Sequence, residues 1–304
     1  MSSPQEEWSK QGESHGQYDF TMYYKIEDGA RLTCRVESPI PQSLLVPLLS
    51  VLNESALYHQ WIPSWQTPFR LGVQESNQLL HDSRGHQVIQ VMTAVPWPAK
   101  PREALFSVQA VDEIEENGFI IAQMTSIDDT EEGTIVKNSL PSNFKVPECT
   151  HAVRCEFGGT VLFRHCPTDH PNYRANRCRF PEGDLILLQF MMHFDAKMTM
   201  VPKAMINFIT RTAFGVVWSM LLRVAEEVKS GSRDAHCKII AEKADFYDWV
   251  EKRCKYMLHK TVNSHGIVDS EDQNCSEDEQ NKQEDHRNKE SNIWTLQETL
   301  RMGL

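Results

Sequence analysis

VPWPAKPREALF, residues 95 to 106, punctuates the chain at the point on which its architecture turns. Pro96, Pro98 and Pro101 surround Trp97 between two strand-like runs, HQVIQVMTAV (86 to 95) and ALFSVQAVDEI (104 to 114). Proline has no N–H for a sheet ladder, so the segment marks a break between strands. Arg102 and Glu103 stand where the chain turns apolar again.

Outward from this break, residues 66 to 190 read as strand, turn, strand. FRLGVQESNQLLHD, GFIIAQMTSI, AVRCEFGGTVLFRH and RCRFPEGDLILLQFMMHF are the further runs. Turn signals fall at Ser83-Arg84-Gly85, Glu116-Asn117-Gly118, Glu131-Glu132-Gly133 and Pro181-Glu182-Gly183. Short strands at this spacing predict one antiparallel sheet. Residues 18 to 38 predict two more strands around Glu27-Asp28-Gly29, because Asp-Gly supplies the positive φ of a tight hairpin. Residues 38 to 65 predict a helix, with Leu44, Leu45, Leu48, Leu49 and Leu52 at helical spacing and Pro63 as its stop. A long helix is predicted over 202 to 230, ended by Gly231, and a second over 234 to 260.

Composition bounds the partners. A chain of 304 residues, 40% hydrophobic, buries a core without disulfide help. The net charge of -11 argues against nucleic acid and against a broad electrostatic grip on anionic membrane. Residues 269 to 290 hold nine acids and three bases, so more than half of that charge is local. The first residues, MSSPQEEWSKQGESHGQ, carry no signal-peptide pattern, and 201 to 225 is too polar to span a membrane. The expectation is a soluble cytoplasmic protein with eight reduced cysteines.

Chemistry-bearing motifs are sparse. G-x-S-x-G, H-E-x-x-H, G-x-G-x-x-G and the P-loop pattern are all missing. Cys149, His151, Cys155, His165, Cys166, His170 and Cys178 are zinc-type residues, but their spacing is irregular and lacks C-x-x-C. No catalytic residue, metal or cofactor is assigned.

Three segments in this order resemble the StAR-related lipid-transfer (START) family. LLSVLNESALYHQWIPSW is similar to its first helix, VPWPAKPREALF to its Pro-Trp-Pro strand entry, and FDAKMTMVPKAMINFITRTAF to the start of its last helix. The resemblance implies an α+β helix-grip fold, a curved antiparallel sheet around a long C-terminal helix with a hydrophobic tunnel. It covers residues 18 to 232, between a disordered 1 to 17 and a helical extension at 233 to 262. An acidic disordered linker at 263 to 290 and an amphipathic tail at 291 to 304 follow, the tail a potential docking segment for a protein partner.

The resemblance further implies binding of one lipid for transfer or sensing, with transient membrane contact. Arg102, Trp97 and Phe106 of the strand-entry motif are then lipid-binding, and Met205, Phe208, Ile209 and Val217 form the lid's apolar face. Arg102 has two readings: its guanidinium fork meets a lipid phosphate, or it pairs with Glu103 or another carboxylate and anchors the loop. The acid and arginine of sterol-binding relatives fall near Ile89 and Val108, both apolar, which favours a phospholipid or another acyl-chain lipid over a sterol. The alternatives are a helix-grip enzyme or a scaffold with a filled cavity.

Overall fold

The computed structural model of the chain describes residues 9–15, 17–27, 31–197 and 203–264. Nine strands among them form one sheet: β1 Ser9–His15, β2 Asp19–Glu27, β3 Arg31–Pro41, β4 Gly72–Ser83, β5 His86–Ala94, β6 Arg102–Glu113, β7 Phe119–Ser126, β8 Val153–His165 and β9 Leu185–Asp195. Their order is β1-β2-β3-β9-β8-β7-β6-β5-β4, antiparallel throughout. A short parallel pairing adds Arg102–Ala104 of β6 to Val153–Cys155 of β8 where β7 has left the sheet. Pro39 and Pro41 sit in β3 beyond Glu37, the last residue paired with β2, so the missing N–H groups fall where the β2 neighbour has ended.

The concave face grips a helix in two parts. α5 Lys203–Phe208 passes through one π-helical turn, Ile209–Ala213, into α6 Phe214–Lys229. Gly231 follows at φ 74, the left-handed closure that glycine allows cheaply. The core joins α6 (Leu221, Leu222, Val224 and Ala225) to Phe163 of β8 and to Ile186 and Leu188 of β9. This is the expected helix-grip architecture.

Several elements differ from expectation. Strand β1 lies within the stretch 1 to 17 expected to be disordered, pairing with β2 by its backbone. The single helix expected over 38 to 65 is broken. Strand β3 holds the chain to Pro41, α1 runs Leu45–Asn53, and a 3-10 turn at Ser55–Leu57 separates it from the one-turn α2, Tyr58–Trp61. Glu131-Glu132-Gly133 is the first turn of α3, Glu131–Ser139, and α4 Tyr173–Arg179 precedes β9. The Thr130 hydroxyl accepts from the Gly133 N–H at 3.1 Å, a helix N-cap, with two acids at the positive end of the helix dipole.

The region past 232 forms α7, Asp234–Glu242, and α8, Ala244–Ser264. Both pack into the main body. Cys254 and Met257 of α8 belong to the same buried cluster as α1 and α6. Glu54, at the end of α1, accepts from Lys243 Nζ at 2.8 Å and from the Tyr247 hydroxyl at 2.5 Å. The acidic linker and tail expected beyond the helices lie, from residue 265, outside the described residues. Cys34, Cys149, Cys155, Cys166, Cys237 and Cys254 are free thiols. Among the described residues no helix is long and apolar enough to cross a membrane.

Candidate functional site: an apolar cavity with one buried arginine

Side chains alternate across a strand, and that alternation builds the site. On β5 and just past it, Gln87, Ile89, Val91, Thr93 and Val95 face inward; on β6, Arg102, Ala104, Phe106, Val108 and Ala110 do the same. Phe157 of β8 and Phe190, Met192 and Phe194 of β9 continue the wall. Met205, Ile209, Val217 and Trp218 close it from the helix side. They enclose about 470 Å³, within the range of small-molecule sites. The outer neighbours Val88 and Leu105 are also fully buried, because Val136 and Leu140 pack over the convex face there. This part of the sheet is held from both sides while its inner face stays unfilled.

The positions marked by sequence divide. Arg102, Phe106, Met205, Ile209 and Val217 all line the cavity. Trp97 does not. It is 90% exposed at the tip of the loop, where the three prolines hold the backbone away from the sheet. Phe208 is likewise absent from the lining. Its ring packs edge-on against Trp65 at 5.8 Å and tilted against Phe69 at 5.9 Å, both in the segment after α2. Ile89 and Val108 do line the cavity, so the wall is apolar at both positions.

Arg102 is 5% exposed. Its Nε donates to the Ala196 carbonyl at 2.6 Å, and its Nη1 donates to the Lys100 carbonyl. These bonds fix the plane of the guanidinium and use two of its five N–H groups. Among the described residues no carboxylate pairs with it. Glu103 instead accepts from Arg154 Nε at 2.8 Å and from Gln90 Nε2 at 2.5 Å. The two neighbours point to opposite faces, as strand alternation requires. Arg102 is therefore a buried cation beside an apolar space, held by carbonyl dipoles.

The other reactive groups at the wall are quiet. Burial pushes the Cys34 thiol up to about 12, so it stays protonated at neutral pH. Burial, with the Glu54 charge behind it, raises Tyr58 as well, and the Tyr58 hydroxyl donates to the Leu52 carbonyl at 2.5 Å. His86 is engaged by Asp82 at 2.6 Å and Ser107 at 3.0 Å. Among the described residues no group of three or more His, Cys, Asp or Glu side chains is placed to hold a metal ion.

Sequence reasoning missed the polar residues at the far end of the wall, Asn53 and Gln87, and the aromatic lining of β8 and β9. The period-two pattern of HQVIQVMTAV carried the signal for Gln87. Nothing local marks Asn53, whose place depends on the break between α1 and α2.

Neither a protein-family model nor a curated protein matches the sequence. Solved structures do. One is the STAR-related lipid transfer protein from Xanthomonas axonopodis, at 16% identity and a TM-score of 0.46, over 71% of this chain and 98% of that one. Human StAR-related lipid transfer protein 5 is similar at 13% identity and a TM-score of 0.48, over 74% and 88%. Human STARD10 is similar at 13% identity and 0.47, over 75% and 76%.

Proposed function

We propose that the chain binds one acyl-chain lipid in this cavity, with Arg102 meeting an anionic head group, and carries or senses that lipid at membrane surfaces. The observation that carries the reading is the buried guanidinium, which lines an apolar cavity and has no carboxylate partner among the described residues. Burying a charge without a counter-charge costs several kcal/mol, so such a group marks a place where a ligand anion is worth most. A phosphate suits it, because the guanidinium edge makes paired, charge-assisted bonds. Acyl chains fill the remaining wall, and each Å² of apolar surface removed from water contributes about 25 cal/mol.

The same features weigh against the alternatives. A filled scaffold has no use for an unfilled 470 Å³ beside a buried cation. An enzyme of this fold needs a titratable group at the wall, and Cys34 and Tyr58 are both pushed toward their protonated forms. The Pro-Trp-Pro loop sets Trp97 in solvent, five residues before Arg102 at the cavity wall, where an amphipathic ring suits a membrane interface.

The test is to purify the chain without denaturation, extract it with solvent and identify the lipids by mass spectrometry, beside an Arg102→Ala variant. The expected result is one enriched class of anionic-headed lipid at near one molecule per chain, lost or changed in class in the variant. No lipid above background from several lipid sources overturns the reading.

A further inference from the structure

At the end of the cavity away from Arg102, two neutral amides face the same space with unused polar atoms. Gln87 is 6% exposed and lines the wall. Its Oε1 accepts from Gln78 Nε2 at 2.6 Å and from the Ser55 hydroxyl at 3.2 Å, while its NH2 meets no acceptor among the described residues. If the amide is turned over, an unused acceptor stands there in place of an unused donor. Asn53 also lines the wall, two residues before the Ser55 that binds Gln87. Its Nδ2 donates to Glu54 Oε1 at 3.1 Å and to the Tyr247 hydroxyl at 3.3 Å, which leaves its carbonyl oxygen unused among the described residues. Each amide thus brings an unused polar atom to the wall, one on a buried side chain and one on a half-buried side chain.

We infer that this end is a second polar subsite, which takes a hydroxyl group on the part of the lipid remote from its head. A hydroxyl donates and accepts at once, so it satisfies both amides. A charged group does not fit. His86 is already engaged on both ring nitrogens, and Arg84 is exposed with its guanidinium over the Trp249 ring. The spacing defines the ligand further. Gln87 lies six residues along β5 from Thr93, the cross-strand partner of Arg102, which is about 20 Å at the rise of a strand. An anionic group and a hydroxyl separated by the length of a long acyl chain describe a lipid hydroxylated at or near its chain end. The C-terminal helices take part, because Tyr247 and Glu54 hold the Asn53 side chain by its Nδ2.

This inference rests on the lipid-binding reading, and the experiment separates the two. Binding of palmitate and of ω-hydroxylated palmitate to the full chain is measured by calorimetry or by displacement of a fluorescent fatty acid. The expected result is about five-fold tighter binding of the hydroxylated probe, the equivalent of one net hydrogen bond. Gln87→Met is expected to bring the two probes to equal affinity, and Tyr247→Phe, which only positions Asn53, to narrow the gap. Equal affinities in the unsubstituted chain overturn the subsite and leave lipid binding standing, with water then filling the space between the amides. A preference that survives Gln87→Met also overturns it. Failure of both probes to bind overturns the subsite and the lipid reading together.

Discussion

Two single residues show how position in the fold reverses what residue type alone implies. Trp97 has the composition of a core residue and the exposure of a surface one, 90%. Prolines on either side leave its loop without ladder donors, so the ring is held out where a membrane interface can receive it. Trp97→Ala is expected to slow lipid transfer between vesicles by about ten-fold, since a Trp ring carries most of such a contact's apolar area. The amount of lipid bound at equilibrium should not change, because the ring lies outside the cavity lining. Equal transfer rates would remove Trp97 from the membrane contact. Glu37 makes the opposite case, a charge inside. Burial alone raises its carboxyl, but His170 at 3.7 Å, hydrogen bonds from Arg35 and Gln189, and the Arg35 charge outweigh burial and hold it at about 2. A carboxylate whose folded value is depressed stabilises the fold above its unfolded value, near 4.5, and loses that contribution as pH falls toward 2. Glu37→Gln is expected to cost about 2 kcal/mol at neutral pH and to flatten the acid limb between those values. Chemical denaturation at a series of pH values reads both effects.

At the scale of elements, the gripping helix holds an odd residue. Gly215 lies in the first turn of α6, just after the π-helical turn, and a Cβ there would meet open space. Packing therefore does not require glycine, and Gly215→Ala is expected to stabilise the chain by roughly 1 kcal/mol through helix propensity. If α5 moves as a lid about this point, the same change slows lipid exchange; exchange at the original rate places the hinge elsewhere. Which elements were legible in sequence follows a physical divide. Strands β4 to β9 announce themselves as apolar or alternating runs between turn glycines, and the long helix by its stripe, because burial on a face writes itself into composition. Strand β1 has the sequence SKQGESH and no such alternation. Its pairing with β2 is a matter of backbone hydrogen bonds, which composition does not record. The turn read at Glu131-Glu132-Gly133 failed for another reason. Thr130 before two acids is a capping signal, and the glycine answers a close approach instead, since a Cβ would come within 2.2 Å of Asp128 Oδ1. In the cavity, five of the seven marked side chains line the wall, and Arg102 is where the strand-entry motif led one to look. Asn53 stayed hidden because its position depends on contacts with a helix almost two hundred residues away.

The molecule as a whole ends later than its sequence pattern does. A boundary at 232 matches the last residue of the recognisable pattern, yet α7 and α8 supply part of the structure in front of it. Glu54 is 4% exposed, and its carboxylate is satisfied by Asn53, Lys243 and Tyr247, two of which come from the region past 232. A chain stopped after 232 keeps the buried acid and loses its cation. Breaking a buried ion pair from one side costs about 3–5 kcal/mol, a large share of the 5–15 kcal/mol that holds a typical domain together. The burial of Cys254 and Met257 is lost with it. Truncation at 232 is therefore expected to lower the thermal midpoint sharply or to abolish a cooperative transition. The charge on Glu54 also fixes the sign of a substitution there. In the full chain Glu54→Gln removes one half of a satisfied pair and should destabilise. In the truncated chain the same substitution removes an uncompensated charge and should restore part of the loss. Thermal unfolding of the four combinations measures the coupling directly. Opposite signs would show that the C-terminal helices belong to the folding unit through Glu54; the same sign in both chains would reduce them to a covering layer that contributes apolar contact alone.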